Sequence, residues 1–167
     1  MLNLRAYRNE DAKCVASWLK DEQEFMWWSA GKLGAFPLDP DALNDFYAQG
    51  IASGEGFPRT KEEDGRVCGQ MLMRWKDKGE GWLHFGFIIV DGSQRGKGLG
   101  FAMLSMALEY AFHLRRAKRV TLNVFADNAP ARRCYERLGF ACAGETELEV
   151  NGEKRRAFLY EKRKNHG

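Results

Sequence analysis

A glycine-rich segment at residues 91–100 joins a predicted strand to a predicted helix. It reads Asp-Gly-Ser-Gln-Arg-Gly-Lys-Gly-Leu-Gly, follows the apolar run 85–90 and precedes apolar residues at helical spacing from Phe101 to Phe112. Glycine allows tight turns and close approach of the backbone to a ligand, and a helix start presents unpaired N–H groups at the positive end of its dipole. The segment therefore predicts a phosphate-binding loop at a strand-to-helix junction.

Two common phosphate-binding patterns do not fit this loop. The P-loop requires a glycine, four residues and then Gly-Lys-Ser/Thr, but Gly96-Lys97 is followed by Gly98 and the glycine position is Asp91. The dinucleotide pattern G-x-G-x-x-G/A fails at its last position, which is Phe101 or Met103. The pattern Arg/Gln-x-x-Gly-x-Gly/Ala does fit, with Arg95, Gly98 and Gly100.

A second pattern covers residues 120–140. Val120, Leu122 and Val124 alternate as in a strand, Asn128 suits a helix N-cap, and Gly139 suits the end of that helix. The arrangement Asn-x-x-Ala-x-x-x-Tyr-Glu-x-x-Gly-Phe is matched by Asn128, Ala131, Tyr135, Glu136, Gly139 and Phe140. With two such motifs in this order and separation, the chain resembles the GNAT superfamily of acetyl-CoA-dependent N-acetyltransferases.

The hydrophobic periodicity predicts an α+β fold with the element order β-α-α-β-β-β-α-β-α-β-β. Central strands are predicted at residues 82–90 and 119–125, a hairpin at Asn151-Gly152, and an irregular segment at residues 21–39. The resemblance implies a single domain over residues 1–167, built as a three-layer α/β/α sandwich around a mixed, mostly antiparallel sheet. It also implies that the two central strands are splayed apart to admit the pantetheine arm.

Acetyl-CoA is the co-substrate that the resemblance implies, with direct attack by an amine on the thioester. Strand backbone would pair with pantetheine, amides of the glycine loop would hold the pyrophosphate, and an asparagine would bind the cofactor arm. The residues assigned to cofactor binding are Ile88, Ile89, Val90, Arg95, Gly96, Lys97, Gly98, Leu99, Gly100, Phe101, Asn128 and Ala131.

Two residues are assigned to catalysis, each with a structural alternative. Tyr135 occupies the family's tyrosine position and would protonate the departing sulfur, unless its ring only packs in the core. His84 lies near the start of a central strand and would act as the general base, unless it is a half-buried structural histidine. Glu22, Glu24 and Glu80 are alternative bases that could act through water.

The acceptor is expected to be an amine on a small molecule, an antibiotic or a peptide. Trp27 and Trp28 fall in the segment that commonly borders the acceptor in this superfamily, and core packing is their alternative role. Two other functions stay open, a CoA-binding sensor or partner domain without transferase activity and a transferase of a different acyl group. A homodimer also stays open.

Composition excludes several other classes. The chain has 167 residues and a net charge of +3, which favours solvated basic faces and attraction of a polyanionic cofactor over nucleic-acid binding. No apolar run approaches a membrane span, and the N-terminal residues lack the apolar core of a signal peptide. The four cysteines and three histidines have no metal-site spacing, so we expect no metal, reduced thiols and a cytoplasmic location.

Overall fold

Seven strands form one mixed sheet in the computed structural model, which describes residues 2–94 and 96–165. The strands are β1 Leu2–Ala6, β2 Gly56–Glu63, β3 Arg66–Asp77, β4 Trp82–Val90, β5 Arg119–Phe125, β6 Ala141–Val150 and β7 Glu153–Arg163. Their order across the sheet is β1-β2-β3-β4-β5-β7-β6. Neighbouring strands are antiparallel except β4 and β5, which are parallel.

Helices cover both faces of this sheet. They are α1 Asp11–Trp18, α2 Glu22–Ser29, α3 Pro40–Ser53, α4 Leu99–Glu109, which continues as a π-helical segment over Tyr110–Leu114, and α5 Ala129–Arg137. One core joins α1, α2 and α3 to Leu72 of β3, and another joins α4 and α5 to Met71 and Met73. Because successive strand residues point to opposite faces, these are two separate layers. The predicted three-layer α+β fold is confirmed.

The prediction of an irregular segment at residues 21–39 was wrong over α2. Asp21 caps this helix by accepting from the Glu24 amide at 2.8 Å, and the Glu24 carboxylate accepts from the Lys20 amide at 3.0 Å. The helix has only eight residues, with aromatic side chains at Phe25, Trp27 and Trp28. A helix this short depends on tertiary packing rather than on intrinsic propensity, which is why its periodic signal was weak.

Asp11 links the first helix to two strands through a buried carboxylate. It is the first residue of α1, is 1% exposed, and accepts two hydrogen bonds of 2.9 Å from Arg5. The Thr60 hydroxyl and the Arg8 amide each donate to it at 2.8 Å. Burial works to raise the pKa of Asp11, but these hydrogen bonds outweigh it and hold the pKa below its ordinary value. The carboxylate thus joins β1 and β2 to α1.

The sheet opens between β4 and β5. Their pairing runs only from Trp82 opposite Arg119 to Phe85 opposite Leu122, although both strands continue beyond these residues. Strand β4 lies in the centre of the sheet, as predicted; its residues 83–85 are buried, whereas residues 86–90 are half-buried. The splay implied by the family resemblance is therefore present. No helix in the described ranges is long and apolar enough to cross a membrane.

We expect Asp11→Asn to lower the free energy of unfolding by about 3 kcal/mol, because it removes one partner of a buried ion pair. Urea denaturation would measure the loss. Glu62→Gln is the matched control, since Glu62 binds the same Arg5 side chain but is 21% exposed as a side chain. That control should cost about 1 kcal/mol or less, and equal losses in the two variants would contradict the special role of Asp11.

Candidate active site

A cleft of about 450 Å³ opens where β4 and β5 separate. One part of its wall comes from α2 and the turn that follows it, which contains Lys32. The other parts come from β3, β4, β5, α5 and β6. The cleft brings together residues that lie far apart in the sequence. The predicted site residues that line it are Trp27, Trp28, His84, Ile88, Ile89, Val90, Asn128, Ala131 and Tyr135.

A bulge in β4 shapes one wall of this cleft. Leu72 pairs with Gly86 and Gln70 with Ile89, so two residues of β4, Phe87 and Ile88, lie opposite one residue of β3. Phe87 has a φ of +50°, a left-handed backbone that costs a non-glycine residue roughly 1–2 kcal/mol. Because β5 has already stopped pairing, the β5-facing backbone groups of residues 86–90 have no strand partner and can bind a ligand that carries amides.

The Phe87 ring fixes this bulge against two helices. It lies 5.3 Å from the Trp28 ring of α2 in an edge-to-face contact and 5.1 Å from the Phe46 ring of α3. A T-shaped contact with Tyr47 at 6.4 Å completes its surroundings. Such aromatic contacts offset the unfavourable backbone geometry.

The glycine loop lies beyond the C-terminal end of β4 and is not part of the cleft wall. Gly96 and Gly98 have φ values of +81° and +72°, which explains the need for glycine at these two positions. Gly98 is the N-cap of α4, and the amides of Leu99, Gly100 and Phe101 have no acceptor among the described residues. These amides suit an anion.

Arg95 and Lys97 are the basic residues of this loop that were predicted to contact the cofactor. Lys97 is exposed, and its ammonium donates to the Gln94 side-chain oxygen at 2.9 Å. Arg95 lies outside the described residues. The Arg137 guanidinium of α5 lies 5.0 Å from the centre of the Phe101 ring and adds positive charge beside α4.

Helix α5 places Asn128, Ala131 and Tyr135 on the other side of the cleft. The Asn128 side-chain oxygen accepts from the Ala131 amide at 3.4 Å and caps the helix, as the sequence predicted. Tyr135 is 8% exposed, and its ring packs edge-to-face on Phe140 and Tyr160. Its hydroxyl has no hydrogen-bond partner among the described residues. Burial, with a smaller contribution from Cys134, raises the pKa of Tyr135 well above its ordinary value, so the phenol keeps its proton.

His84 is buried beneath the cleft on the face of the sheet that carries α1–α3. Its Nδ1 lies 2.8 Å from the Thr121 hydroxyl, which also accepts a 2.8 Å hydrogen bond from the Trp82 indole. Burial lowers the pKa of His84 to about 3, and the charges of Arg74, Lys76 and Lys32 contribute further. The imidazole is therefore neutral at physiological pH and is a weak proton acceptor.

Helix α2 crosses the open end of the sheet. Trp28 packs toward β4, whereas the Trp27 indole donates to Asp127 at 3.1 Å on the far side of the cleft. Trp27 also packs beside Phe125 of β5 and Val150 of β6. Both tryptophans therefore pack against the core, and both also line the cleft, so their contact with an acceptor stays a prediction.

Sequence reasoning missed several residues of this site. Lys32 and Arg74 line the cleft, and Arg74 lies directly opposite His84 in the antiparallel β3–β4 register. No local sequence pattern predicts which residues of two strands lie opposite each other, although the two strands themselves were predicted. Of the three glutamates proposed as alternative bases, Glu24 is the one that lines the cleft.

Known proteins resemble this chain over most of its length. Residues 1–141 match the model of a family described as acetyltransferase (GNAT) domain. A spermine/spermidine N(1)-acetyltransferase of Bacillus subtilis (strain 168) is 42% identical over 76 residues, 46% of this chain and 47% of that protein. A 5-NmdU N-acetyltransferase of Pseudomonas phage PaMx11 is 33% identical over 101 residues, 60% of this chain and 68% of that protein. The chain thus spans about half the length of the first curated relatives that it matches.

Solved structures share the fold. A crystal structure of spermidine N-acetyltransferase from Vibrio cholerae in complex with CoA and spermine matches with a TM-score of 0.80 at 20% identity, covering 97% of this chain and 95% of that one. An identity this low establishes the architecture and nothing finer.

The lowered pKa of His84 predicts a pH dependence of stability. Below pH 6.5 the histidine of the unfolded chain takes up a proton, whereas folded His84 does so only near pH 3. The free energy of unfolding should therefore fall as the pH is lowered, by about 1.5 kcal/mol from this group between pH 6.5 and 5. Denaturation across this range should show a flatter dependence for His84→Asn. The same change at the exposed His113 is the control, and an unchanged slope in His84→Asn would refute the prediction.

Proposed function

The chain belongs to the acetyltransferase (GNAT) domain family, and on that basis we propose that it transfers an acetyl group from acetyl-CoA to a primary amine. One observation carries the proposal. The cleft at the parting of β4 and β5 is lined both by unpaired strand backbone and by a buried tyrosine that keeps its proton.

Strand β4 and helix α4 form the proposed donor site. Pantetheine carries amides, and the unpaired edge of Ile88, Ile89 and Val90 offers the hydrogen-bonding groups that would match them. The free amides of Leu99–Phe101 would hold the pyrophosphate, with Gly96 and Gly98 allowing close approach. Bound acetyl-CoA supplies the activated acyl group as a thioester.

On the α5 side, Asn128 has a double role in this proposal. Its side-chain oxygen is used to cap α5 at the Ala131 amide, so its amide nitrogen is the group left for the cofactor arm. Arg95 and Lys97 would add positive charge near the phosphates, as the sequence motif predicts.

The reaction forms a bond between the amine nitrogen and the acetyl carbon and breaks the carbon–sulfur bond. An unpaired β4 amide beside the bulge would stabilise the negative charge that develops on the acetyl oxygen. Tyr135 would donate its proton to the departing sulfur, which otherwise leaves as a thiolate. The phenol is protonated at neutral pH, as this role requires, and its raised pKa makes it a weaker acid than a free tyrosine.

The amine must lose a proton, and His84 stays our predicted proton acceptor, but only through a hydrogen bond. A neutral imidazole can accept a hydrogen bond from the amine, whereas burial and three neighbouring cations oppose its full protonation. The proton is therefore expected to pass on to water. Glu24, at the start of α2, is the cleft carboxylate that could assist this transfer.

Assembly and location remain parts of the proposal. An exposed edge strand, β6, supports a homodimer, because unpaired strand edges favour association with another chain. The free thiols of Cys14, Cys68, Cys134 and Cys142 are consistent with a reducing cytoplasm.

Calorimetric titration with acetyl-CoA tests the donor site, with ATP and NADH as comparison ligands. We expect selective binding of acetyl-CoA and release of thiol when an amine is added. Binding without thiol release for any amine would favour a sensor or partner domain. Competition by other acyl-CoA thioesters would separate acetyl transfer from transfer of a different acyl group.

Gly100→Val should weaken acetyl-CoA binding about 10- to 100-fold, because a side chain would separate the phosphate from the α4 amides. Gly100 is the suitable position, since a Cβ there meets no atom within 4 Å and, unlike Gly98, its φ is not positive. Calorimetry would measure the change. Gly144→Val on the exposed strand β6 is the control, and equal affinities of the two variants would overturn the loop assignment.

Tyr135→Phe should lower kcat about 100-fold while leaving acetyl-CoA affinity within about twofold, because it removes only the proposed acid. Steady-state kinetics and calorimetry measure the two quantities. Tyr160→Phe alters a buried tyrosine whose hydroxyl donates to Glu136 and does not line the cleft. If both variants keep wild-type turnover, Tyr135 is a packing residue.

A further inference from the structure

Positive charge is concentrated at the end of the cleft that lies away from the glycine loop. Lys32 lies in the turn after α2, and Arg74 and Lys76 lie two residues apart near the end of β3, where the pairing with β4 becomes irregular. Lys32 and Arg74 line the cleft, and Arg74 is the cross-strand neighbour of His84. Lys32 and Arg74 thus lie at the predicted acceptor end of the cleft, and the charge of the nearby Lys76 also acts on His84.

These cations form no ion pair with a carboxylate in the part of the chain that the structure describes. None of the three takes part in an ion pair or a side-chain hydrogen bond there. Some other arginines do form ion pairs, as Arg5 with Asp11 and Arg119 with Glu161. Glu55 exerts an attraction on Arg74 but does not line the cleft. Glu24 also lines the cleft, and its carboxylate accepts from the Lys20 amide.

Arg74 is the least screened of these cations, because it is half-buried whereas Lys32 and Lys76 are exposed to solvent. Burial, followed by repulsion from Arg74, lowers the pKa of both Lys32 and Lys76, and burial lowers that of Arg74. In the same wall, the indole N–H of Trp28 is buried without a hydrogen-bond partner among the described residues. This end of the cleft therefore has an excess of donors and of positive charge, which an anionic ligand would compensate.

The phosphates of the donor cannot be that anion. His84 and Val90 are six residues apart on β4, which corresponds to roughly 20 Å along the strand, and the glycine loop begins beyond Val90. An anion that contacts Arg74 therefore lies on the acceptor side of the cleft. The planar guanidinium of arginine matches a carboxylate through two parallel hydrogen bonds.

We propose that the acceptor of this enzyme is an amine that also carries a carboxylate, which Arg74 and Lys32 bind while Trp27 and Trp28 contact its apolar part. The inference rests on the proposed acetyl transfer and narrows its acceptor class. It separates this chain from a polyamine acetyltransferase, because a polyamine would bring further positive charge beside Lys32, Arg74 and Lys76.

Matched acceptors test the proposal through thiol release. L-Phenylalanine is compared with L-phenylalaninamide, L-lysine with cadaverine, and spermidine serves as the polyamine probe. We expect kcat/KM to be about 10- to 100-fold higher for the carboxylate member of at least one pair. Phenylalaninamide has the less basic amine, so a larger fraction of it is unprotonated and reactive at neutral pH. A higher kcat/KM for phenylalanine would therefore arise in spite of this intrinsic advantage of the amide. A preference for spermidine, or equal values within both pairs, would overturn the proposal.

Substitutions test whether the preference for a carboxylate-bearing acceptor depends on Arg74. Arg74→Gln should reduce the kcat/KM ratio between the two acceptors of a pair to about 1 without changing the Kd of acetyl-CoA. Arg74→Lys should retain part of the preference for the carboxylate. Lys78→Gln is the control, because Lys78 lies on the same hairpin but outside the cleft. An unchanged ratio in Arg74→Gln would overturn the assignment.

A binding measurement separates this proposal from the proposed function. Phenylalanine and its amide are titrated calorimetrically into the complex with CoA, where no transfer can occur. Selective binding of phenylalanine that Arg74→Gln removes, with no thiol release from any acceptor, would support the carboxylate site and refute the transferase. Thiol release without discrimination between acid and amide would support the transferase and refute the carboxylate site.

Discussion

The site depends on one limit in the hydrogen bonding of the sheet, namely that β4 and β5 pair only as far as Phe85 and Leu122. A continuous ladder would consume the backbone groups of residues 86–90 and leave no cleft. The bulge at Phe87 and Ile88 redirects β4 away from β5 at this point. Every wall of the cleft follows from this parting, since α5 begins just beyond β5 and α2 lies across the gap.

The site also divides into two regions with different chemical demands. Backbone amides and glycines characterise the donor region, where a ligand of fixed chemistry can be bound by main chain alone. Side chains characterise the proposed acceptor region, where Trp27, Trp28, Lys32, Arg74 and His84 come from α2, the turn after it, β3 and β4. Main-chain recognition tolerates sequence change, whereas side-chain recognition sets the specificity of an individual protein.

This division explains how far the sequence could predict the structure. Local sequence patterns predict the proposed donor region, because Gly98 at a helix start and Asn128 as an N-cap depend on their neighbours in the chain. The hairpin at Asn151-Gly152, outside this region, is predicted in the same way. Those predictions and the sheet strands were confirmed. The acceptor region depends on contacts at long range: Arg74 meets His84 through strand register, and α2 is stabilised by packing across the cleft. The buried carboxylate of Asp11 was likewise unpredictable, since its partner Thr60 lies 49 residues away.

The Phe87 ring has a consequence for how the acceptor preference of such a chain can diverge. Trp28 and Phe46 hold this ring, and the ring holds the left-handed backbone that shapes the donor side of the cleft. Replacing Trp28 to admit a new acceptor would thus disturb the strand on which every acceptor relies. Trp27 and Lys32 take no part in the ring contacts of Phe87, so substitutions there leave this backbone undisturbed. A change of acceptor preference is therefore expected to cost less stability at the outer rim of the cleft than at its inner wall.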